Sequence, residues 1–350
     1  MLAPPWIPVP SPGYGGVEPV ISALTRALVR HGHEVTLLCA PGSRSTARVV
    51  TLLDKTHPDE IQRSPYEADH VARAFAFIDL AAPDERFDVV HDHSGFTALA
   101  MADRIDTPVV HTLHGPFTPS TAAFYAHHGH KAALVGISRS QLASAPPGLH
   151  AIAVIPNPID LHIWPLRESK SDYVLWIGRM TAVKGPHRAI AAARIAGVPL
   201  ILAGIIQPGH QAFFDKEVAP HIDGKRVRFV GEVGGVAKRA LFAGARALLM
   251  PIRWNEPFGM VIVEALACGT PVITFPEGAA RELVLEGKTG FLVDDEAAMG
   301  AAVGQLAHIA PAACRTWVAE HCEADVVADA YEQAYRAAVR TSPDRVAVTG

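Results

Sequence analysis

Two glutamates lie eight residues apart around the expected start of a helix, within the stretch 254–273, WNEPFGMVIVEALACGTPVI. Pro257 and Gly259 oppose a regular helix before this point. The pattern therefore predicts Glu256 in a loop ahead of the helix and Glu264 more than one turn inside it. A helix N-terminus offers free N–H groups and a positive dipole, which suit a phosphate. Carboxylates on either side of that phosphate can hold the hydroxyls of a sugar.

Two cations lie close together in the segment IGRMTAVKG (177–185). Arg179 ends a predicted strand, and Lys184 comes just before a predicted helix. Such a pair at the end of a parallel strand suits a diphosphate, because it stabilises charge that grows on a leaving nucleotide without a metal. The alternative is a pair of solvated surface charges.

Glycines follow two of the predicted strands. Gly15 and Gly16 close the segment PGYGG (12–16) and open a helix, so they permit a close approach of the backbone to an anion or a hydroxyl. The segment GEVGG (231–235) follows a later strand, and an ordinary turn is the alternative there.

Histidines cluster in HDHSG (91–95) and HTLHG (111–115). His and Asp side chains are metal ligands, which makes a metal site an option. However, residues two apart on a strand share a face, and no other ligand cluster appears in the sequence. We therefore expect no metal here. For His91, Asp92 and His93, a structural role or an acceptor contact is as open as a chemical one.

Taken together and in order, these segments resemble the GT4 group of retaining glycosyltransferases, also described as glycosyl transferases group 1, which have the GT-B fold. The stretch 254–273 resembles the E-x7-E signature of that group, and IPNPID (155–160) resembles its interdomain segment. Each segment alone is a weak signal, but the series covers nearly the whole chain.

The resemblance implies a role for each matching residue. Glu264 is expected to bind the ribose and Glu256 the transferred sugar, with Arg179 and Lys184 on the diphosphate. His114 is expected to contact the transferred sugar, and a core or loop histidine is the alternative. The catalytic group is thus His114, Arg179, Lys184 and Glu256, and the donor nucleotide and phosphate are expected on Gly15, Gly16, Gly231, Glu232, Val233, Phe258, Gly259, Met260 and Glu264.

The chain departs from the family pattern at two positions. In EGAARELV (277–284), Ala279 replaces a usual glycine, which puts the phosphate role of that loop in doubt. Pro158 replaces the usual glycine after Asn157, which stiffens the interdomain turn.

The resemblance implies retaining transfer of a hexose-type sugar from a nucleoside diphosphate sugar to a hydroxyl acceptor. UDP is favoured on family frequency, and neither a metal nor another cofactor is expected. The acceptor is unknown. Two alternatives stay open: a non-catalytic nucleotide-sugar binding protein, and a nucleotide-sugar epimerase or phosphorylase on the same fold. A Rossmann dehydrogenase is disfavoured, because no G-x-G-x-x-G follows a first strand.

Composition bounds the partners and the compartment. The 350 residues carry a formal net charge of −4, so no basic excess is available to neutralise a nucleic acid. Four cysteines show no paired spacing and are expected as buried thiols. No apolar run is long enough for a membrane span, so we expect a cytoplasmic protein with at most peripheral membrane contact.

Alternating strands and helices predict the α/β class, with two doubly wound, Rossmann-like domains facing across a cleft. We place an acceptor domain at 1–160, a donor domain at 161–325, and at 326–350 a helix crossing back to the first domain, ending in a frayed tail from 341. LAPP (2–5) is expected to end a first strand. In the family most of that strand precedes it, so either this strand is short or the recorded start is truncated.

Overall fold

The computed structural model describes residues 1–11, 13, 15–61 and 64–341. The chain forms two compact units, Met1–Ile159 with Ala324–Gly350 and Asp160–Glu323. Both are built on parallel strands with intervening helices, which confirms the α/β class and the two Rossmann-like domains. Apart from Thr341, the predicted tail lies outside the described residues.

The first unit alternates strands and helices in the order that the Val, Ile and Leu runs predict. Its elements are α1 (Glu18–Arg30), β1 (Thr36–Cys39), β2 (Arg48–Thr51), α2 (Ser64–Asp79), β3 (Val90–Asp92), α3 (Phe96–Ala100), β4 (Val109–Leu113), α4 (Pro119–His128), β5 (Ala133–Gly136), α5 (Arg139–Ala143), β6 (Ala151–Val154) and α13 (Ala324–Thr341).

Leu2 joins the two parallel ladders of the first unit. One ladder pairs β1 with β2, and the other has the order β3-β4-β5-β6. Leu2 forms parallel bridges to Leu38 in β1 and to Asp92 in β3, so it lies where a first strand was expected. The prediction that LAPP ends such a strand is confirmed for Leu2.

The C-terminal helix α13 is part of the core of the first unit. Its apolar face carries Val327 and Tyr331, which are buried together with Leu24 and Leu28 of α1 and Val110 of β4. Burial of this many apolar side chains is the main term that holds a helix on a sheet, at about 25 cal/mol per Å² of apolar surface.

The second unit contains one six-stranded parallel sheet with the order β12-β11-β10-β7-β8-β9. This is the doubly wound order, in which the chain starts in the middle and builds outwards in both directions. The elements are β7 (Val174–Ile177), α6 (Pro186–Ala196), β8 (Leu200–Ala203), α7 (Gln211–Glu217), β9 (Val227–Phe229), α8 (Gly235–Gly244), β10 (Leu248–Met250), α9 (Met260–Ala267), β11 (Val272–Thr274), α10 (Ala280–Leu283), β12 (Gly290–Leu292), α11 (Glu296–Val303) and α12 (Pro311–His321).

Several details differ from the sequence-based expectations. The edge strand β12 was not predicted, because three residues are too few to show a period. The first helix begins at Glu18 and not at Gly16.

All four cysteines are free and buried, as expected. Across the described residues, no helix combines the length and the apolar character that crossing a membrane requires.

Candidate donor and sugar sites in the two units

The loops at the carboxyl ends of the strands in the second unit are held together by backbone hydrogen bonds. The Gly204 amide after β8 donates to the Gly231 carbonyl after β9 at 2.7 Å. The Arg253 amide after β10 donates to the Val183 carbonyl in the loop after β7 at 2.8 Å. Ligands of doubly wound sheets bind at this edge, and the loops that form it support one another.

Lys184 and Glu256 contact each other directly. The Lys184 ammonium pairs with Glu256 Oε2, and the Trp254 indole N–H donates to the same oxygen at 3.0 Å. The ammonium also lies 4.6 Å from the centre of the Trp254 ring, a cation–π contact. The two side chains are only 17% and 15% exposed. The structure therefore rules out the alternative that Lys184 is a solvated surface charge.

Arg179 lies two residues beyond the end of β7 and is half-buried. Its backbone carbonyl accepts from the Thr181 amide at 2.7 Å. Within the part of the chain that the structure describes, its guanidinium makes no hydrogen bond or ion pair. Its charge is thus available at the edge of the sheet where a parallel fold binds its ligands.

The helix start after Glu256 has the geometry of an anion site. Gly259 caps α9 with φ of 95°, and its Cβ-free backbone turns the chain into the helix. Among the described residues, the amides of Phe258, Gly259 and Met260 donate no hydrogen bond. Three such amides, with the positive end of the helix dipole, suit a phosphate oxygen.

The loop after β11 supports Glu256. The Ala279 amide donates to the Glu256 carbonyl at 3.0 Å, and the neighbouring Gly278 has φ of 56°. A Cβ at Gly278 would overlap the Glu256 backbone. Ala279 itself has φ of −72°, so no glycine is required there. Alanine in place of the usual glycine at position 279 therefore leaves this support intact. The Ala279 amide already donates to the Glu256 carbonyl within the protein.

Glu264 is buried in α9 and pairs with a lysine that the sequence did not point to. It is 3% exposed, and Lys238 of α8 donates to its Oε1 at 2.6 Å. Its other oxygen, Oε2, is buried and accepts no hydrogen bond from the described residues. Burial raises the pKa of the Glu264 carboxyl, and the charge and hydrogen bond of Lys238 lower it. An unpaired buried carboxylate oxygen is unfavourable until a donor reaches it.

The GEVGG loop, which is predicted to bind the donor nucleotide, lies between β9 and α8. Gly231 has φ of 71°, and its carbonyl accepts a hydrogen bond from the Gly204 amide. Glu232 is exposed and Val233 is half-buried at the same edge. These positions are compatible with the expected contact to a nucleotide.

In the first unit, Gly15 and Gly16 precede α1 by two residues or more. A Cβ at Gly15 would crowd Ser11 and the Glu18 carboxylate, whereas Gly16 has no atom near a Cβ position. Gly16 is exposed and thus accessible to a ligand. Pro12 and Tyr14, the other partners in PGYGG, lie outside the described residues.

The HDHSG and HTLHG segments form two separate hydrogen-bonded groups. Asp92 accepts from His111 Nδ1 at 2.6 Å and from the Ser94 amide at 2.7 Å. On the opposite face of β3, the rings of His91 and His93 are in contact, tilted by 39° with centres 4.0 Å apart. The shared face of His91 and His93, predicted from strand geometry, is confirmed.

His114 is held by the second group. Its Nε2 lies 2.8 Å from His93 Nδ1, and the rings stack 5.1 Å apart. Burial lowers the pKa of His114 to about 3 and that of His91 and His93 well below the usual value. His114 is therefore neutral, and it can exchange a hydrogen bond with a hydroxyl without carrying charge.

His91 extends this support to the C-terminal helix. Its Nδ1 lies 2.7 Å from the Tyr335 hydroxyl, and its Nε2 lies 2.8 Å from Thr112 Oγ1. Thr112 in turn lies 2.9 Å from the Tyr331 hydroxyl. No local pattern indicates these partners, because Tyr331 and Tyr335 lie more than 200 residues away along the chain.

The side chains of HDHSG do not point to one common position. His91 contacts Tyr335 and Thr112, His93 contacts His114, and Asp92 contacts His111 and Ser94. Within the described residues, two other groups bring three ligand types together: His31, Asp329 and Glu332, and Asp160, His162 and Glu323. The first group is a set of ion pairs at an exposed helix contact, including His31 with Glu332 at 2.9 Å.

A cavity of about 740 Å³ lies at the other end of the first sheet. It is lined by residues at the amino ends of the strands, among them Val35, Thr36 and Val89. The predicted ligand-binding residues lie at the carboxyl ends, so we do not assign the donor or the acceptor to this cavity.

Two family models match consecutive parts of the chain. The model described as Glycosyltransferase Family 4 matches residues 14–163, and the model described as Glycosyl transferases group 1 matches residues 160–310. Their order is the order of the segments on which the resemblance rested, and together they span both units.

Two curated relatives illustrate the range of the match. A glycogen synthase of Mycobacterium tuberculosis is 32% identical over 59% of the chain, and the match covers 56% of that protein. The chain thus spans little more than half the length of this relative. A D-inositol 3-phosphate glycosyltransferase of Xylanimonas cellulosilytica is 28% identical, with 84% of each protein covered.

Solved structures match over nearly the full length. AviGT4, a glycosyltransferase involved in avilamycin A biosynthesis, is 27% identical with a TM-score of 0.76, and 97% of each chain is covered. HepE of Anabaena, solved in complex with UDP and glucose, is 19% identical with a TM-score of 0.68, covering 92% of this chain and 96% of its own. The latter likeness concerns the fold.

Proposed function

Since the chain belongs to the GT4, or group 1, family of glycosyltransferases, we propose that it transfers a sugar from a nucleoside diphosphate sugar to a hydroxyl acceptor. The observation that carries this proposal is the arrangement of donor-binding groups in the second unit. A buried glutamate with an unpaired oxygen, a helix start with free amides and two cations lie at or beside the ligand-binding edge of one parallel sheet.

Each group has a role in this proposal. Glu264 binds the ribose, and the helix start at Gly259 binds a phosphate oxygen. Arg179 and Lys184 stabilise the charge that develops on the leaving diphosphate, which preorganised cations do effectively in a site from which water is largely excluded. Glu256 binds hydroxyls of the transferred sugar, and His114 supplies a neutral hydrogen-bonding group for a sugar hydroxyl.

We further propose UDP as the nucleotide, retention at the anomeric carbon and no requirement for a metal. The complex of HepE with UDP and glucose supports the first point at the level of the fold. Family resemblance supports retention, in which a donor phosphate oxygen assists the incoming hydroxyl on the face that the leaving group vacates. Arg179, Lys184 and the helix start supply the positive charge that a divalent cation would otherwise contribute.

The acceptor is proposed only as a hydroxyl. The names of the two curated relatives imply different acceptors, a polysaccharide and an inositol phosphate, so they select none for this chain. The contacts of the first unit do not select one either.

A thermal-shift screen against UDP-, GDP- and ADP-sugars tests the proposal. We expect at least one UDP-sugar to raise the unfolding midpoint, and we expect Glu264→Gln to reduce that shift. Release of nucleoside diphosphate from the best ligand, before and after treatment with EDTA, then separates an enzyme from a non-catalytic binder. A free sugar phosphate or an altered sugar nucleotide as the product would instead indicate a phosphorylase or an epimerase.

A further inference from the structure

A lysine outside the family signature controls the state of the buried ribose-binding glutamate. We propose that Lys238 is a positioning residue for the donor, whose ammonium holds Glu264 Oε1 so that the carboxylate stays ionised and Oε2 is left for a ribose hydroxyl. This inference rests on the proposed function, because it assumes that Glu264 meets a ribose.

The contact is short and comes from a different helix. Lys238 lies in the first half of α8 and reaches Glu264, 26 residues further along the chain, at 2.6 Å. The Lys238 side chain is 22% exposed and that of Glu264 is 5% exposed. A charged hydrogen bond with so little solvent around it is stronger than a surface pair, because water screens it poorly.

Aromatic side chains fix the direction of the lysine. The ammonium of Lys238 lies 5.9 Å from the ring centre of Trp164 and 6.0 Å from that of Phe242. Both rings are buried, and they face each other at 5.8 Å. Lys238 therefore lies along an apolar surface with its charge directed at Glu264, as long basic side chains do.

Lys238 is the charged group that stabilises the ionised form of Glu264, because the other charged groups around α9 have different partners. At the C-terminal end of α9, burial raises the pKa of the Cys268 thiol to about 12, so this thiol is neutral. From α12, Arg315 donates to the carbonyls of Ala267, Trp164 and Leu161. Arg281 of α10 donates to the Pro276 carbonyl, and β11 carries no charged residue. Lys170, whose pKa burial lowers to about 8, donates to the Ala243 and Cys268 carbonyls and not to Glu264. Among the described residues, loss of Lys238 would leave the buried Glu264 carboxylate without a paired cation.

The two oxygens of Glu264 thus differ. Oε1 is occupied by Lys238, whereas Oε2 is buried without a partner among the described residues. A ribose hydroxyl that donates to Oε2 would give this oxygen a partner. That hydrogen bond is strongest when the carboxylate is ionised. Burial favours the protonated carboxyl and raises the pKa of Glu264, and Lys238 opposes this effect.

The test is calorimetry of UDP binding between pH 6 and pH 9 for the wild type, Lys238→Met and Lys238→Arg. Lys216→Met is the matched control, because Lys216 is 83% exposed and pairs only with its neighbour Glu217 within the described residues. The ratio of variant to wild-type affinity at each pH cancels the ionisation of UDP itself.

We expect Lys238→Met to bind UDP on the order of tenfold more weakly near pH 6.5 and to approach the wild type as the pH rises, because the Glu264 carboxyl then ionises without the lysine. Lys238→Arg and Lys216→Met should follow the wild type. Equal or tighter binding by Lys238→Met at every pH would overturn the inference. So would a loss that is the same at every pH, because that would indicate a direct contact between Lys238 and the donor.

A second measurement does not depend on nucleotide binding. With glutamate labelled at the δ carbon, the NMR signal of Glu264 is assigned by its loss in Glu264→Gln and followed through a pH titration. We expect a higher pKa in Lys238→Met than in the wild type, and the same pKa in both would contradict the positioning role. If the wild type binds no nucleoside diphosphate, the proposed function fails, and this titration still decides the role of Lys238.

Discussion

Glu256 and Glu264 carry the same side chain in opposite surroundings. Glu256 lies in a loop, where it forms an ion pair with Lys184 and accepts a hydrogen bond from the Trp254 indole. Glu264 lies inside α9, is almost fully buried and keeps one oxygen without a partner among the described residues. The eight-residue spacing places one acid before the helix start and the other more than a turn beyond it, so under the proposed function they would meet different parts of a donor.

Substitution by glutamine should separate the two acids. Glu264→Gln keeps the shape but removes the charge, so it should weaken binding of free UDP by about 1.5–3 kcal/mol, the range for a hydrogen bond to a charged group. Glu256→Gln removes the carboxylate that occupies Lys184, so binding of free UDP should not weaken while turnover falls. Calorimetry with UDP, together with donor kinetics, measures both effects.

The opposite pattern would contradict this assignment. If Glu256→Gln abolishes UDP binding and Glu264→Gln does not, the ribose lies on the loop side of the helix start. Unfolding midpoints close to that of the wild type are the control that each variant remains folded.

At this scale the sequence predicted which residue types matter but not their partners. The spacing indicated Glu256, Glu264, Arg179 and Lys184 as candidates. It did not indicate Lys238, which is brought to Glu264 by the packing of α8 against α9. It also did not indicate that Lys184 pairs with Glu256, because that pairing depends on the loops after β7 and β10, which are joined through Arg253 and Val183.

Loops between strands and helices position the candidate site. The loop after β11 supports Glu256, because Gly278 in that loop packs directly against the Glu256 backbone. The family pattern directed attention to Ala279, one of the two positions at which this chain departs from it. The structure shows that its neighbour Gly278 has the stricter requirement, since it combines a positive φ with a close approach.

Gly278→Ala should therefore lower turnover by displacing Glu256 and the helix start. The matched control is Gly287→Ala, because Gly287 also has a positive φ of 70° but has open space at its Cβ position. Both variants carry the backbone cost of a left-handed alanine, roughly 1–2 kcal/mol. We expect a larger loss of stability in Gly278→Ala than in Gly287→Ala, because only the Cβ at Gly278 overlaps the Glu256 backbone, and a much larger loss of donor turnover at a temperature where both variants are folded. Equal turnover in the two variants would show that the loop does not position Glu256.

Elements were predicted well where apolar runs were long. The buried strands β4, β7 and β8 coincide with Val, Ile and Leu runs, and α6 begins at Pro186 as expected. The edge strand β12 escaped prediction because its three residues are recognisable only through their pairing with β11. The role of α13 in supporting His91 also depends on tertiary packing that no local pattern records.

For the whole molecule, the buried histidines make folding sensitive to acid. Burial keeps His91, His93 and His114 neutral in the native state, with the pKa of His114 at about 3. In the unfolded chain a histidine takes up a proton near pH 6.5. Below that pH the unfolded state binds more protons than the native state, so these residues lower the free energy of unfolding as the pH falls.

His93→Gln should make this dependence on pH shallower. If the variant takes up one proton fewer on unfolding, the slope of the free energy of unfolding against pH changes by up to about 1.4 kcal/mol per pH unit. The slope of the variant must be compared with that of the wild type, because other groups also contribute to it. Burial raises the pKa of Glu18 and Glu264, and these carboxyls raise the free energy of unfolding as the pH falls. We expect His127→Gln, at an exposed position, to keep the wild-type slope between pH 7 and pH 5. A wild-type slope in His93→Gln as well would mean that His93 is not held neutral.

We propose that the second unit activates a nucleoside diphosphate sugar through Arg179 and Lys184. This proposal is tested by the initial rate at which nucleoside diphosphate is released from the best-binding donor, for the wild type, Arg179→Met, Lys184→Met and the control Lys216→Met. We expect release by the wild type and the control, and a rate lower by on the order of 10² in each of the other two variants. Full rates in both variants, or no release from a donor that binds, would contradict it.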